Sequence, residues 1–373
     1  MRIALIVPGF SADDSDWCIP ALLNLARALG QRVELEIFAL RYPPRRGAYQ
    51  VSGVPVQSLG TMHRRGGASA ALWAEAVALI ARRHRARHFD LLHAFWADEP
   101  AWIGAAAARL LGVPLVASIA NGELSSLPGI GYGLQRLPLQ RRLIDWALQS
   151  AAQVTTGSDY LAQMARARTT RPLSLAPLGV DTNLFTPALS ERASGPPTLL
   201  NVGSLAPVKG QMTLLEAMRR VVAVCPAARL RIIGEGPLRD ALRRAIGEWG
   251  LDGAVELCGG VAHDQLPGYY REASLLVQAS LHEAQGMAVL EAAACGVPCV
   301  GTAVGVVSDL APDAAVAVPA GDAPALAEAI IQLLNDDARR RALGRRARQR
   351  VADDYRVDVC AERFVTLYGK AGR

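Results

Sequence analysis

The sequence lacks several features that would assign it to a class at once. Nowhere in its 373 residues is there an uninterrupted run of the roughly 20 apolar residues that a membrane-spanning helix needs. Its first residues run directly into a strand pattern, without the long apolar region and small-residue cleavage site of a signal peptide. We therefore expect a cytoplasmic chain with no membrane span.

Cysteine is scarce, and the six cysteines show no Cys-x-x-Cys spacing. Cys295 and Cys299 flank a predicted helix end and a strand, which is poor geometry for a zinc site. We expect all six thiols to be reduced and mostly buried in the core.

Lysine is nearly absent: only Lys209 and Lys370 occur among the 40 basic residues, and the others are arginine. The net charge is +6, and arginines cluster at 82–85, 136–142 and 339–350. A basic chain raises nucleic acid as a partner. However, no basic strand with interleaved aromatic residues occurs, so we expect no nucleic acid. Solvated helix faces explain the clusters, and attraction to an anionic membrane surface is the alternative.

Strand and helix patterns alternate along the chain, which predicts an α/β fold with parallel sheets covered by helices. The length suits two domains better than one core. We predict a first domain at 1–185 and a second at 198–354, joined by a polar linker at 186–197 that ends in Gly-Pro-Pro. No Gly-x-Gly-x-x-Gly follows the first strand, which counts against a dinucleotide-dependent oxidoreductase.

The most informative stretch is a polar turn that ends at Gly286 and leads into a short predicted helix. The amides of Gly286, Met287 and Ala288 would point outward at the helix start, which is a ready site for a phosphate. Glu283 precedes the helix and Glu291 lies about a turn inside it. Two carboxylates beside a phosphate site make chemical sense if they bind hydroxyls on either side of a diphosphate. The alternative is a capped surface helix with two solvated glutamates.

This stretch resembles the signature of retaining glycosyltransferases of the GT-B class, family 4. The resemblance implies two Rossmann-like, doubly wound parallel-sheet domains that face a central cleft, with a terminal helix, here at 355–373, packed back on the first. It implies transfer of a hexose-type sugar from a nucleoside-diphosphate sugar to an acceptor hydroxyl, without a metal or other cofactor. The matching positions are, in order, Glu283, Gly286, Leu290, Glu291, Ala292, Ala294, Gly296, Val297, Pro298 and Val300.

The resemblance extends to the donor-binding loops of the second domain. It implies that Lys209 binds the diphosphate, Glu291 the ribose hydroxyls and Glu283 the transferred sugar. Ser204 replaces a family arginine, which removes one phosphate contact. His263 is either a cap or surface residue or a contact of the nucleobase. The other donor-side candidates are Gly203, Gly234, Gly236, Val261, Gly286, Met287 and Ala288.

The first domain departs further from the family. Ala120 stands where many relatives carry a histidine near the anomeric carbon, and Asn121 would supply a neutral hydrogen bond from nearly the same place. Glu123 is retained as a candidate for acceptor or sugar binding. His93 matches a strand-end histidine and is either a substrate contact or a core residue. The predicted catalytic set is Glu283, Lys209, Glu123 and Asn121.

An acidic loop follows the first strand and contains Asp13, Asp14, Asp16 and Trp17. Its carboxylates would repel a diphosphate, so they either cap a helix and solvate the loop or face the acceptor. In the second case Asp16 and Trp17 would bind a polyol through hydrogen bonds and ring stacking.

Two other functions remain open from the sequence. The replacements at Ala120 and Ser204 fit a nucleotide- or glycan-binding partner that has lost turnover. A sugar-nucleotide epimerase could use the same fold. Release of nucleotide from a donor would exclude the binding partner, and products formed from the donor alone would reveal the epimerase.

Overall fold

The structure is a computed structural model that describes residues 1–60, 68–188 and 195–372. Strands and helices alternate through these ranges, because short runs of Val, Ile and Leu form buried strands between alanine- and leucine-rich helices. No helix within the three ranges is both long enough and apolar enough to cross a membrane.

The chain divides into two compact units. The first unit consists of Met1–Gly179 and Val357–Arg373, and the second consists of Val180–Arg356. The second unit is therefore inserted into the sequence of the first.

The two units divide between Gly179 and Val180, which lies before the predicted boundary at Phe185. The residues from Val180 to Phe185 belong to the second unit. The ring of Phe185 is buried with its centroid 5.8 Å from that of Tyr270. Val180 donates its amide proton to the carbonyl oxygen of Tyr355, at 2.8 Å. Part of the predicted linker, 189–194, lies outside the described residues.

An eight-stranded sheet forms the centre of the first unit. In chain order its strands are β1 (Arg2–Gly9), β2 (Glu34–Tyr42), β3 (Gly47–Val51), β4 (Val54–Ser58), β5 (Leu91–Phe95), β6 (Leu115–Ile119), β7 (Gln153–Thr156) and β8 (Leu173–Leu175). They lie in the order β3-β4-β2-β1-β5-β6-β7-β8. All neighbours are parallel except β3 and β4, which form an antiparallel hairpin at the edge.

Helices connect these strands. In the first part of the chain they are α1 (Pro20–Gly30), α2 (Ala68–Ala86), α3 (Glu99–Leu111), α4 (Pro138–Ser150) and α5 (Asp159–Arg166). The sequence pattern missed α5, which is short and half polar, although Ser158 caps it by accepting a hydrogen bond from the amide of Leu161, at 3.2 Å.

The second unit has a six-stranded parallel sheet. Its strands are β9 (Thr198–Val202), β10 (Arg229–Ile233), β11 (Val255–Gly259), β12 (Leu275–Gln278), β13 (Cys299–Thr302) and β14 (Ala315–Val318). They lie in the order β11-β10-β9-β12-β13-β14. The order reverses between β9 and β12, and ligands of open α/β sheets bind beyond the carboxyl ends of the strands at such a reversal.

The helices of the second unit cover both faces of this sheet. They are α6 (Gln211–Val224), α7 (Arg239–Glu248), α8 (Leu266–Glu272), α9 (Met287–Ala294), α10 (Val306–Leu310), α11 (Ala323–Leu334) and α12 (Asp337–Asp354).

The chain then returns to the first unit with the helix α13 (Val357–Ala371), which packs against α1. Phe364 and Tyr368 on α13 are fully buried in the core of the first unit. A segment from the far end of the sequence thus completes that core.

Candidate functional site

The loops that follow β9 and β10 pack on each other through their backbones. Leu205 donates its amide proton to the carbonyl oxygen of Glu235, at 2.9 Å. Gly234 has a φ of 142°, and a Cβ there would lie 2.0 Å from the carbonyl oxygen of Gly203. A Cβ at Gly236 would lie 2.5 Å from the carbonyl oxygen of Leu205. The predicted donor-side glycines therefore allow a close approach of two loops, which side chains would prevent.

Lys209 ends a 3-10 turn, Pro207–Lys209, that follows β9. The next residue, Gly210, has a left-handed φ of 66°, and a Cβ there would lie 2.0 Å from the carbonyl oxygen of Ala279. The turn thus packs directly against the chain that leaves β12. This packing places the Nζ of Lys209 at 2.6 Å from the Oε1 of Glu283.

Glu283 is a buried carboxylate whose Oε1 has three donors. Besides Lys209, the Nε2 of Gln278 and the Oγ of Ser280 each donate to it at 2.8 Å. Burial raises the pKa of Glu283, but the charge of Lys209 and these hydrogen bonds outweigh it and lower the pKa below its usual value. Gln278 and Ser280 are not among the site residues predicted from the sequence, although a glutamine at the end of an apolar strand was a usable signal.

Glu291 lies on α9 and is also buried. Its Oε2 accepts a hydrogen bond from the hydroxyl of Tyr270 at 2.8 Å, and its Oε1 lies 3.1 Å from the Nε2 of His263. Burial and the charge of Glu291 raise the pKa of Tyr270 well above its usual value. The interpretation of His263 as a cap or surface residue is wrong, because its largely buried ring packs between Glu291 and Phe185.

Gly286 begins α9 with a φ of 100°. The preceding turn is fixed because the amide of Val306 donates to the carbonyl oxygen of Gln285, at 2.7 Å. The first amides of any helix have no acceptor within that helix. Gly286, Met287 and Ala288 thus lie at a helix start, three residues beyond Glu283, as the sequence predicts.

The two remaining donor-side candidates have fewer contacts. Ser204 is exposed just after β9, and its carbonyl oxygen accepts a hydrogen bond from the Nε2 of Gln211, at 2.9 Å. Val261 follows β11 and packs partly buried against the apolar core. Their roles toward a donor remain predictions.

In the first unit, Glu123 connects two loops at the carboxyl ends of β5 and β6. Its Oε1 accepts from the amides of Ala97 at 3.0 Å and Ala120 at 3.1 Å, and its Oε2 accepts from the amide of Asn121 at 2.6 Å. The residue is 1% exposed. This geometry contradicts the predicted contact of Glu123 with acceptor or sugar, because the carboxylate already binds backbone amides and is closed to solvent.

Asn121 is exposed, and its Oδ1 accepts a hydrogen bond from the hydroxyl of Tyr132, at 3.0 Å. The backbone of Asn121 is also held, because its amide donates to the Oε2 of Glu123. The orientation of Asn121 is thus set from two sides, while its role in catalysis remains a prediction.

Asp98 belongs to the same region and was not identified from the sequence. Its Oδ1 is buried without a hydrogen-bond partner among the described residues. Burial, followed by the charges of Glu123 and Glu99, raises the pKa of Asp98 to about 7. Nearby, Trp96 has a φ of 84°, which is rare for a residue with a side chain.

His93 is a core residue, so its prediction as an acceptor contact is wrong. Its side chain is fully buried, with Nδ1 at 2.8 Å from the hydroxyl of Tyr368 and Nε2 at 2.8 Å from the Oγ of Ser118. Burial lowers its pKa to about 3, so the ring is neutral. The helix α13 covers this face of the strand, which the local sequence around His93 does not indicate.

The acidic loop is organised by its own carboxylates. The Oδ1 of Asp13 accepts from the amides of Ser15 at 2.9 Å and Asp16 at 3.1 Å, and the Oδ2 of Asp16 accepts from the amide of Ala12 at 2.7 Å. The predicted helix cap is absent, because Ile19 is the N-cap of α1 and makes no side-chain cap hydrogen bond.

Trp17 packs partly buried against the apolar core of the first unit. The guanidinium of Arg27 lies 5.5 Å from the centroid of its ring. Acceptor binding by Asp16 and Trp17 remains a prediction. Across the three described ranges, no group of three or more His, Cys, Asp or Glu residues is placed to hold a metal ion.

Two α/β units of this topology are the architecture of the GT-B fold. Solved structures agree with this fold. A sucrose-phosphate synthase from Thermosynechococcus elongatus superposes with a TM-score of 0.85 at 24% identity, covering 99% of this chain and 98% of the other. Anabaena Alr3699/HepE in complex with UDP-glucose gives a TM-score of 0.77 at 18% identity, with 99% and 100% covered.

Sequence comparison defines the family more narrowly. Residues 186–350 match the family described as "Glycosyl transferases group 1", and residues 21–184 match "Glycosyltransferase Family 4". The GDP-mannose-dependent alpha-(1-6)-phosphatidylinositol monomannoside mannosyltransferase of Mycobacterium tuberculosis (strain CDC 1551 / Oshkosh) is 30% identical over 286 residues, 71% of this chain and 74% of the relative. The chain therefore belongs to the group 1, family 4 glycosyltransferases.

Proposed function

We propose that this glycosyltransferase moves a hexose-type sugar from a nucleoside-diphosphate sugar to an acceptor hydroxyl, with retention of configuration and without a metal ion. The observation that carries the proposal is the ion pair between the partly buried Lys209 and the buried Glu283, joined at 2.6 Å where the strand order of the second unit reverses. The start of α9 follows Glu283 closely in the sequence. A cation, helix amides and a carboxylate at one sheet edge suit a ligand with a phosphate and hydroxyls.

The leaving group in such a transfer is a nucleoside diphosphate, which gains negative charge as the glycosidic bond breaks. Lys209 and the amides of Gly286, Met287 and Ala288 would stabilise this charge, because fixed donors need no reorganisation during the reaction. Glu283 would bind the sugar hydroxyls. The departing phosphate oxygen would take the proton of the acceptor hydroxyl, which accounts for retention without a protein nucleophile.

The donor nucleotide would be held by Glu291 through its ribose hydroxyls. Tyr270 and His263 would keep this carboxylate in place. The Mycobacterium tuberculosis relative is named for GDP-mannose, and HepE was solved with UDP-glucose. Both names support a nucleoside-diphosphate hexose, with guanine and uracil as the first bases to test.

The proposal also includes a cytoplasmic location with peripheral contact to an anionic membrane. The acceptor would then be a hydroxyl compound reached from the membrane surface or from solution. Its identity would follow from acceptor screening once the donor base is known.

The first experiment is a thermal-shift panel of UDP, GDP, ADP and their sugar conjugates, with EDTA present. A ligand at a hundred times its dissociation constant adds about 2.7 kcal/mol of stability. We expect one nucleotide family to stabilise the protein and Glu291→Gln to abolish most of the shift. Glu272→Gln is the matched control, because Glu272 is exposed at the end of the neighbouring helix α8.

If no nucleotide stabilises the protein, the proposal is contradicted, and a glycan-binding partner without turnover is favoured. If a donor binds, NMR of the product gives the anomeric configuration. Turnover that requires added divalent cation would contradict the metal-independent mechanism.

A further inference from the structure

Gln278 is the last residue of β12 and the one polar residue of that strand. Leu275, Leu276 and Val277 are at most 1% exposed, and Gln278 itself is 7% exposed. A strand inside a parallel sheet is covered by helices on both faces and is normally apolar throughout. Packing alone therefore does not account for a carboxamide at this position.

The neighbours of Gln278 hold its side chain close to the start of α9. Gly301 on β13 is its partner in the sheet, and a Cβ there would lie 3.3 Å from the Cβ of Gln278 and 3.0 Å from its carbonyl oxygen. Glycine on the adjacent strand thus leaves room for the glutamine. At the start of α9, a Cβ on Gly286 would lie 3.4 Å from the Oε1 of Gln278, so the carboxamide lies against the turn that leads into the helix.

The two ends of this carboxamide differ in their contacts. Its Nε2 donates to the Oε1 of Glu283 at 2.8 Å, whereas the Oε1 of Gln278 is buried and has no hydrogen-bond partner among the described residues. The orientation follows from chemistry, since a carboxylate only accepts hydrogen bonds and must face the NH₂ group. A buried acceptor without a donor destabilises a fold. The contact with Glu283 is therefore what glutamine provides here and an apolar residue would not.

The hydrogen-bond donors to Glu283 all reach the same oxygen. Lys209, Gln278 and Ser280 bind its Oε1, and no residue in the described ranges donates to its Oε2. The side chain of Glu283 is 11% exposed. Because Oε1 is enclosed by these three groups, Oε2 is the oxygen that remains for a hydroxyl group of a ligand.

One of the three groups would change its partner when a sugar nucleotide binds. The side chain of Lys209 is 27% exposed, and its ammonium group would turn from Glu283 toward the diphosphate. Gln278 and Ser280 are neutral and buried, so a phosphate would not draw them away. The hydroxyl of Ser280 rotates, whereas packing fixes the direction of the carboxamide. Gln278 therefore still holds Oε1 of Glu283 in the bound state.

We propose that Gln278 is the positioning residue that fixes Glu283 while a sugar nucleotide is bound, and that it thereby determines which hexose the site accepts. This inference rests on the proposed function, because Glu283 must face the sugar. Epimeric hexoses differ in the direction of one hydroxyl group. A fixed Oε2 binds only the epimer whose hydroxyl points at it, and the other epimer leaves the carboxylate unpaired. A Glu283 that could rotate would bind both.

The test compares Gln278→Met and Gln278→Asn with the wild type by isothermal titration. Methionine has no hydrogen-bond donor, and asparagine keeps a carboxamide on a side chain that is shorter by one methylene. The probes are GDP, UDP and the glucose, mannose and galactose conjugates of each. For the base that binds, we expect both variants to keep the wild-type affinity for the free nucleoside diphosphate. The preference for the best over the worst hexose should fall at least about fivefold.

Gln153→Met is the matched control, because Gln153 is also a buried glutamine on a strand. Its Nε2 donates to the carbonyl oxygens of Val154 at 3.1 Å and Pro172 at 3.0 Å, in the first unit. We expect this control to keep both the affinities and the hexose preference of the wild type. Melting curves confirm that each variant is folded.

An unchanged hexose preference in both Gln278 variants would overturn this proposal and leave the proposed donor site standing. So would an equal loss of affinity for the free nucleoside diphosphate and for its sugar conjugates, since that would assign Gln278 to the fold and not to the sugar. A wild type that binds a nucleotide without preferring any hexose would also overturn it. If the wild type binds no nucleotide at all, both this proposal and the proposed function fail.

Discussion

At the scale of single residues, the pair of Lys209 and Glu283 would couple stability to binding of the proposed donor. The carboxylate is buried, so its charge is tolerated only because the ammonium group and two further donors surround it. A bound diphosphate would compete with Glu283 for the same cation. The ion pair thus fixes both side chains before binding, and a bound diphosphate would partly replace it.

Replacing Lys209 by Met should therefore do two things. It leaves Glu283 as a buried charge without its cation, and we expect a loss of about 1–3 kcal/mol in the free energy of unfolding. It should also abolish the nucleotide-induced thermal shift. The double variant Lys209→Met with Glu283→Gln should recover most of the stability in denaturant titrations but no nucleotide binding. Recovery of both would show that Lys209 has no part in the donor site.

Asp98 predicts a pH dependence of the first unit. Because its pKa in the folded protein is raised to about 7, the folded state holds a proton that the unfolded state has lost above its ordinary pKa of 3.8. Stability therefore falls as the pH rises between about 4 and 7 and levels off above that range. Asp98→Asn should remove this contribution, which amounts to at most about 1.4 kcal/mol per pH unit. The melting temperature of the variant relative to wild type should rise from pH 5 to pH 8, whereas Asp252→Asn, at an exposed position, should show no such trend.

The sequence predicted those features of the candidate site that follow from local spacing. The start of α9 between Glu283 and Glu291 is of this kind, because the turn and the helix lie within a few residues of each other. The roles of Lys209, Glu283 and Glu291 toward a donor remain predictions. Tyr270 and Asp98 could not be predicted from local spacing, since their importance depends on side chains that other elements bring near them. Glu123 was predicted as a site residue, but the sequence around it does not indicate that its carboxylate oxygens accept hydrogen bonds from backbone amides.

At the scale of elements, the loops after β9 and β10 depend on glycine at the point of closest approach. Gly234→Ala would place a Cβ 2.0 Å from the carbonyl oxygen of Gly203 in addition to the strain of its positive φ. Gly250→Ala is the matched control, because its φ is 67° and nothing lies within 4 Å of the added Cβ. A side chain in the left-handed conformation of Gly250 costs about 1–2 kcal/mol, and the φ of 142° at Gly234 is at least as unfavourable for a residue with a side chain.

We expect Gly234→Ala to be the more destabilising variant and to weaken nucleotide affinity, measured by isothermal titration. Gly250→Ala should keep the wild-type affinity. Equal effects of the two substitutions would mean that backbone strain, and not the contact between the loops, determines stability here.

Element prediction succeeded for the buried strands and the longer helices, since their apolar runs are continuous. It failed for the hairpin of β3 and β4, whose two strands the apolar pattern does not separate, and for α5. These elements are short and partly polar, and neighbouring chain segments stabilise them more than their own apolar pattern does.

At the scale of the whole molecule, the core of the first unit depends on α13. Phe364→Ala removes a fully buried ring beside His93 and Phe95, and we expect it to cost about 3–5 kcal/mol in the first unit. The nucleotide-induced stabilisation should persist in the second unit, which calorimetry with and without nucleotide would show. Glu362→Ala, at an exposed position of the same helix, should leave both units near wild type. If Phe364→Ala loses nucleotide binding while Glu362→Ala keeps it, the expectation that the second unit binds nucleotide without an intact first core is contradicted.

The insertion of the second unit within the first also sets an order of events on the ribosome. All residues of the second unit, Val180–Arg356, leave the exit tunnel before α13 is available. The first unit begins synthesis earlier but lacks the cover of Phe364 over His93 and Phe95 until α13 emerges. We therefore expect the first unit to finish folding after the second, and we expect a chain cut before Val357 to form the second sheet while the core of the first unit stays open.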